Sequence, residues 1–270
     1  MNENQYLPEP ARLSVLVAIL LLTFALERVL NMPQETLSLP LFGFVWTIPV
    51  GLGTILSSLA AILTAIGTDW LLRSHPNFEL GKARGHWLLP ILSVLTLGAF
   101  LNSLTETYMW WLAFGIGALL IALVLTAEFI ALEPTDARYP IAVAGLTVLA
   151  FALFLILTVS VRASGWRLFL VAPFLFTAGF LVSLRTLHLR LGERWETPWA
   201  IGIGLVTLHL GAALHYWPLT PLQYGLALLA PVYALTILSV SLADGLPFRV
   251  AIVEPAIMGA VLASLLLWFR

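Results

Sequence analysis

TDWLLRSHPNFELGKARGHW, residues 68–87, gathers Asp69, Arg73, Glu79, Lys82 and Arg84 into one short stretch of a chain that is 60% hydrophobic and only 10% charged. Long apolar segments run away from it in both directions. Such a stretch is either the surface of a soluble fold or the loop between two membrane crossings, and composition decides between them. Soluble domains carry about 25% charged residues. With a mean hydropathy of +0.99, the solvent of this chain is lipid. A net charge of −1 also excludes nucleic acid as a partner, because binding to a phosphate backbone needs a clustered basic excess.

In hydrocarbon every backbone amide and carbonyl must be satisfied internally, so the apolar runs predict helices. The fold expected is all-α, a polytopic transmembrane bundle. At about 20 residues per crossing, nine spans fit at about 13–30, 50–70, 87–104, 109–129, 140–161, 168–187, 198–217, 222–243 and 251–269. Tryptophan prefers the membrane interface, where its ring is partly buried and its N–H hydrated. Trp70, Trp87, Trp110, Trp111, Trp166, Trp195, Trp199, Trp217 and Trp268 all fall at or near a span end, and Trp46 precedes the second span.

Two stretches interrupt this pattern. LSLPLFGFVWTIPVGLG, residues 37–53, is apolar but broken by Pro40, Gly43, Pro49, Gly51 and Gly53, which argues against a continuous helix. Its alternation suggests an interfacial hairpin or a shallow re-entrant segment. In ADGLPFRVAIVEPAIMG, Glu254 followed by Pro255 has the form of a helix start. That start shortens the ninth helix, and an eight-span count would return the C-terminus to the N-terminal side.

In a nine-span topology the side holding the N-terminus carries nine of the basic residues, against four on the other: Arg28, Arg162, Arg167 and Arg270. The positive-inside rule then places the N-terminus in the cytoplasm and the charged loops on the inner face. The first apolar run ends in Glu27 and Arg28 instead of a small-residue cleavage site, so it is expected to be a retained span.

An internal duplication is suggested by laying 64–160 over 177–270. TAIG at 64 meets TAGF at 177, Arg73 meets Arg185, His75 meets His188, Arg84 meets Arg194, and WLLP at 87 meets WETP at 195, with offsets of 108 to 113 throughout. The arrangement implied is one extra N-terminal helix followed by two parallel four-helix repeats, 50–161 and 163–270. Apolar sequences also align cheaply, sharing charges only at span ends.

Arg73, His75 and Arg84 in the first loop, with Arg185, His188 and Arg194 in the second, form a candidate binding set for an anionic group such as a lipid phosphate, because guanidinium offers two parallel donors. The simpler account makes them orientation signals. His209 lies inside the seventh span, where an ionisable side chain is costly and invites a functional reading. His215 is six residues on and points elsewhere around the helix, so neither a haem nor a metal site is indicated, and a neutral histidine bonded to a neighbouring helix is expected. Glu254 sits among apolar neighbours where burial would favour its protonated form. The other carboxylates near span ends, Glu106, Glu128, Glu133 and Asp136, are expected to be solvated. The chain has no cysteine, which removes thiolate catalysis and cysteine-ligated metals. No catalytic motif, cofactor or metal set is identified.

At GTDWLLRSHP, and in the tryptophan-rimmed spans that follow, the chain resembles uncharacterised bacterial multi-pass membrane proteins over most of its length. The resemblance implies an inner-membrane location, no known activity and no transferred functional residues. The reading favoured is a non-catalytic protein that binds membrane lipids or supports a complex with other membrane proteins. A small transporter with its site at the repeat interface is the alternative, and an enzyme acting on a lipid-linked phosphate ranks behind it for want of a nucleophile or metal.

Overall fold

The computed structural model describes residues 7–30, 35–41, 44–76, 78, 83–104, 106–192 and 194–268. Among them nine helical segments are long and apolar enough to cross a membrane, as the length of the apolar runs requires. They are α1 (Pro10–Val29), α2 (Leu52–Leu72), α3 (Leu88–Ser103), α4 (Thr107–Ile130), α5 (Tyr139–Ala163), α6 (Leu168–Arg190), α7 (Thr197–His215), α8 (Pro221–Ala243), and a last segment made of the single turn α9 (Phe248–Ala251) and α10 (Val253–Trp268). Proline occupies the first turn of α1, α5, α7 and α8, where its missing N–H costs nothing. Glycines at positive φ follow α6 and α8, at Gly192 and Gly245, the left-handed step that ends a helix. Glu254 falls in the first turn of α10, as the Glu-Pro pair predicts.

The broken stretch before α2 is a hairpin. β1 (Glu35–Leu41) and β2 (Phe44–Val50) pair antiparallel, from Glu35 opposite Val50 to Leu41 opposite Phe44. Both strands of a two-stranded ribbon are edges, so Pro40 and Pro49 are tolerated in it.

The chain divides into two compact units, residues 1–136 and 137–270. In the first, α1 packs on α2 and α4, and α3 packs on α2 and α4, closing a ring of four helices. Its core holds Leu16, Leu20 and Phe24 of α1 with Ala60, Val94, Leu101, Ile121, Leu125 and Phe129. Trp110 is buried at the start of α4, stacked on Phe114, with the Arg28 guanidinium over its ring at 5.8 Å.

In the second unit α6 and α7 share the most extensive interface, α5 packs on α6 and α8, α7 on α8, and α10 on α8. Close approach of α6 and α7 rests on small residues. A Cβ at Gly179 would lie 2.5 Å from Thr207 Oγ1, and one at Gly204 would lie 3.0 Å from the Phe176 carbonyl oxygen. Outward-facing positions in both units, among them Ile66, Leu119, Val148 and Ile257, are exposed and apolar, the surface that hydrocarbon requires.

Candidate functional site

The loop that follows α2 begins with an ion pair one helical turn long: Arg73 Nε lies 2.7 Å from Asp69 Oδ2, on an exposed face. His75 turns the other way. Its amide donates to the Leu72 carbonyl at 2.9 Å, and its ring is buried edge-on against Phe129 with centroids 4.8 Å apart. Burial pushes the imidazole below its ordinary 6.5, and nearby His86 acts in the same direction, whereas the Glu133 and Asp136 carboxylates oppose it. The ring is therefore neutral at pH 7. The Arg84 side chain lies outside the described residues; its backbone belongs to a 3-10 turn, Ala83–Trp87.

That turn delivers a residue that sequence reasoning missed. His86 Nδ1 stands 2.7 Å from Glu128 Oε2, with exposures of 2% and 0%. Two lone pairs would repel at this distance, so a proton lies between them. Glu128 belongs to the last turn of α4. Its burial reverses the expectation that span-end carboxylates are solvated, and Glu133 is buried as well, accepting from the backbone and hydroxyl of Thr135. A cavity of about 460 Å³ opens beside Phe129, lined by Leu7, Pro8, Glu9, Pro10 and Ser74. Among the described residues, no group of three or more His, Asp or Glu is placed to hold a metal ion.

In the second unit the corresponding loop is anchored by the end of α6. Arg185 is fully buried, unlike the exposed Arg73 with which it aligns. His188 is buried and stacked on Trp195 at 4.1 Å, so His75 and His188 share an aromatic packing role. Thr236 of α8 donates to Ser183 Oγ at 3.1 Å, and the Tyr139 hydroxyl of α5 reaches the Leu189 carbonyl at 3.3 Å; both bonds hold the end of α6. Arg194 is exposed, 3.5 Å from Glu196. The structure thus joins Arg185 and His188 on successive turns of one buried helix end and leaves Arg194 at the surface.

Among the described residues, His209 has no hydrogen bond to a neighbouring helix. Its Nδ1 is 2.7 Å from the Leu205 carbonyl of its own helix, which requires the proton on Nδ1 because a carbonyl only accepts. Its exposed position faces outward. Glu254 is also exposed, not enclosed by its apolar neighbours, and accepts a 3.1 Å hydrogen bond from the Tyr233 hydroxyl.

Chemically, these groups are dominated by fixed protein–protein partners: an imidazole–carboxylate pair in the first unit, and a buried guanidinium with a stacked imidazole in the second. The pairing of His86 with Glu128 spans 42 residues and leaves no local motif by which a sequence could announce it. No curated protein and no solved structure matches the chain. Residues 32–269 match a family described as proteins of unknown function, DUF5656; that range runs from just after α1 through α10, and the chain belongs to this family.

Proposed function

We propose that this protein is a non-catalytic, multi-pass component of the bacterial inner membrane, with a cytoplasmic N-terminus, that binds membrane lipid. One observation carries the reading: the histidines and carboxylates of the candidate set, with the His86–Glu128 pair, are bound to partners in their own unit. His86 is held by Glu128, His209 by the Leu205 carbonyl, His188 by Trp195, and Glu254 by Tyr233. A transport path needs polar groups that exchange partners with a cargo. Groups already satisfied act as structure, and the outward apolar surface is left as the working face. An origin by duplication of a four-helix unit fits the matching burial of His75 and His188, although Arg73 and Arg185 have diverged in environment.

A second reading, a small proton-coupled transporter, draws on one specific feature. The His86–Glu128 hydrogen bond is fully buried where two of the membrane-span candidates end, the kind of carboxylate–imidazole link used in proton relays. One preparation separates the two readings. The chain is extracted with its surrounding lipid, the lipid is quantified against bulk membrane, and the protein is reconstituted in vesicles holding a pH-sensitive dye. Enrichment of particular lipids with proton flux no greater than in empty vesicles is expected. Flux abolished by Glu128→Gln would replace lipid binding with transport, and lipid identical to bulk would remove the first reading.

A further inference from the structure

One end of the second unit, where α5 meets α6 and α7 meets α8, contains a feature that none of the groups above uses. Arg162, in the last turn of α5, donates from Nη1 to the His215 carbonyl at 2.5 Å and from Nη2 to the Trp217 carbonyl at 3.0 Å. These bonds draw the guanidinium across the end of α7 and fix its plane, with its carbon 5.4 Å from the centre of the Tyr224 ring. Tyr224 is fixed in turn by donating to the Gly211 carbonyl at 3.0 Å. Two of the five guanidinium N–H bonds are used in this way, and three remain.

Beside the guanidinium lies a cavity of about 320 Å³, lined by Arg162, Trp166, His215, Tyr216 and Tyr224 among others. Its base is buried, since Tyr224 is fully enclosed, whereas Trp166 and Tyr216 at its margin are exposed. The size falls at the lower end of the roughly 300–1,000 Å³ typical of small-ligand sites. His215 Nδ1 is shielded from solvent, and among the described residues no group bonds to it. A buried ring nitrogen without a partner is costly, so this atom independently calls for a polar ligand. Charge agrees with both observations. Stretches 160–171 and 209–224 contain Arg162, Arg167, His209 and His215 but no Asp or Glu. Arg162 is also one of only four basic residues on the basic-poor side of the nine-span topology, so orientation does not account for it.

The geometry points to a binding site for a phosphate group in this cavity, the phosphate being held by Arg162 and His215 at the depth where Trp166 and Tyr216 mark the membrane interface. A guanidinium pre-oriented by two carbonyls loses little freedom when it grips an oxyanion. Tryptophan and tyrosine at the margin place the site level with lipid headgroups. The inference rests on the lipid-binding reading above and names the chemistry and residues of the site. The phosphate could belong to a lipid headgroup or to a soluble phosphate ester; both present the same oxyanion to Arg162.

The test is native mass spectrometry of the full chain in detergent micelles, titrated with phosphatidylglycerol, with diacylglycerol of the same acyl chains, and with glycerol 3-phosphate. Variants R162Q, R162K and R167Q are compared with the parent chain. Arg167 is exposed at the same end and does not line the cavity, so R167Q removes the same charge and leaves the site whole. Phosphatidylglycerol should bind in preference to diacylglycerol, weaken about tenfold in R162Q, as for the loss of charge-assisted hydrogen bonds, and change less than about twofold in R167Q. R162Q also gives up the bonds to the α7 carbonyls, so the lipid-induced rise in melting temperature is read for each variant against its own lipid-free value. That rise should vanish in R162Q and survive in part in R162K. Displacement of the lipid by glycerol 3-phosphate would assign the site to soluble esters; its failure to compete would assign it to headgroups. Equal losses in R162Q and R167Q would overturn the site and leave lipid binding standing. Absence of any preference for phosphatidylglycerol in the parent chain would remove this site, and absence of binding by either lipid would count against the lipid-binding reading as well.

Discussion

Glycine-to-alanine substitutions at two positions of the second unit should change stability in opposite directions. Gly179 on α6 has no room for a methyl group: its Cβ would lie 2.5 Å from Thr207 Oγ1, 2.9 Å from Thr207 Cβ and 3.1 Å from Thr207 Cγ2. Carbon atoms in contact rest at about 3.5–4.0 Å, so α6 and α7 must part by roughly 1 Å locally. Thr207 cannot swing aside easily. It is fully buried, β-branched, and its hydroxyl is held by the Ile203 carbonyl at 2.7 Å. Overpacking of this kind costs about 1–3 kcal/mol, against a gain of about 0.8–1 kcal/mol in helix propensity. The expected net loss for Gly179→Ala is therefore about 1 kcal/mol. Among the described residues nothing lies within 4 Å of where a Cβ at Gly202 on α7 would sit, so Gly202→Ala should gain up to about 1 kcal/mol from propensity alone. Equilibrium unfolding in mixed detergent and dodecyl sulfate micelles, followed by tryptophan fluorescence, measures both. Combining Gly179→Ala with Thr207→Ala removes two of the three short contacts and should recover part of the loss, giving a favourable coupling of at least about 0.5 kcal/mol. If Gly179→Ala stabilised the protein as much as Gly202→Ala, the close α6–α7 approach would be refuted.

Two further predictions concern titratable groups. His75 has a folded-state value depressed below 6.5 by burial, so well above that pH both folded and unfolded states are unprotonated at this site and it contributes no pH dependence. As pH falls through 6.5 the unfolded chain takes up a proton that the folded one resists, and stability should decline until the folded-state value is passed. Unfolding free energies measured between pH 7.5 and 5 (on the order of one pH unit to either side of the ordinary histidine range) should slope downward in the parent chain, and His75→Gln should flatten that slope; an unchanged slope would contradict neutral burial of the ring. Glu254 is exposed and accepts from the Tyr233 hydroxyl, a bond that glutamine can also accept. Glu254→Gln should leave stability within about 0.5 kcal/mol of the parent, and a larger loss in the same unfolding assay would mean that its charge is used.

Much of the architecture was legible because lipid imposes so few solutions. Every apolar run long enough to cross had to satisfy its backbone as a helix, and charge, proline and tryptophan marked where each run ended. The predicted ninth segment of 251–269 corresponds to the observed turn α9 followed by α10 (Val253–Trp268). The hairpin was legible only in part: five prolines and glycines between 40 and 53 argue against a continuous helix, but alternation left a hairpin and a shallow re-entrant segment as alternatives. The candidate site was less legible. Arg73 and Arg185 look alike as letters, yet one is exposed beside Asp69 and the other is fully buried. Glu128 looked like any solvated span-end carboxylate until His86 met it at 2.7 Å.

The sequence by itself determined the solvent, the helical class, the placing of the long apolar segments and the punctuation between them, because each depends on local composition and on the length of chain needed to traverse hydrocarbon. Only the tertiary structure decided which face of each helix is buried. In a soluble helix an apolar stripe against a polar face reveals that choice, but here lipid and protein interior are equally apolar, and the stripe disappears. The pairing of His86 with Glu128, the burial of Arg185, the seating of Gly179 on Thr207 and the cavity beside Arg162 all depend on which helices become neighbours. Contacts between residues far apart in the chain are made by packing, and packing is the one step that local composition does not specify.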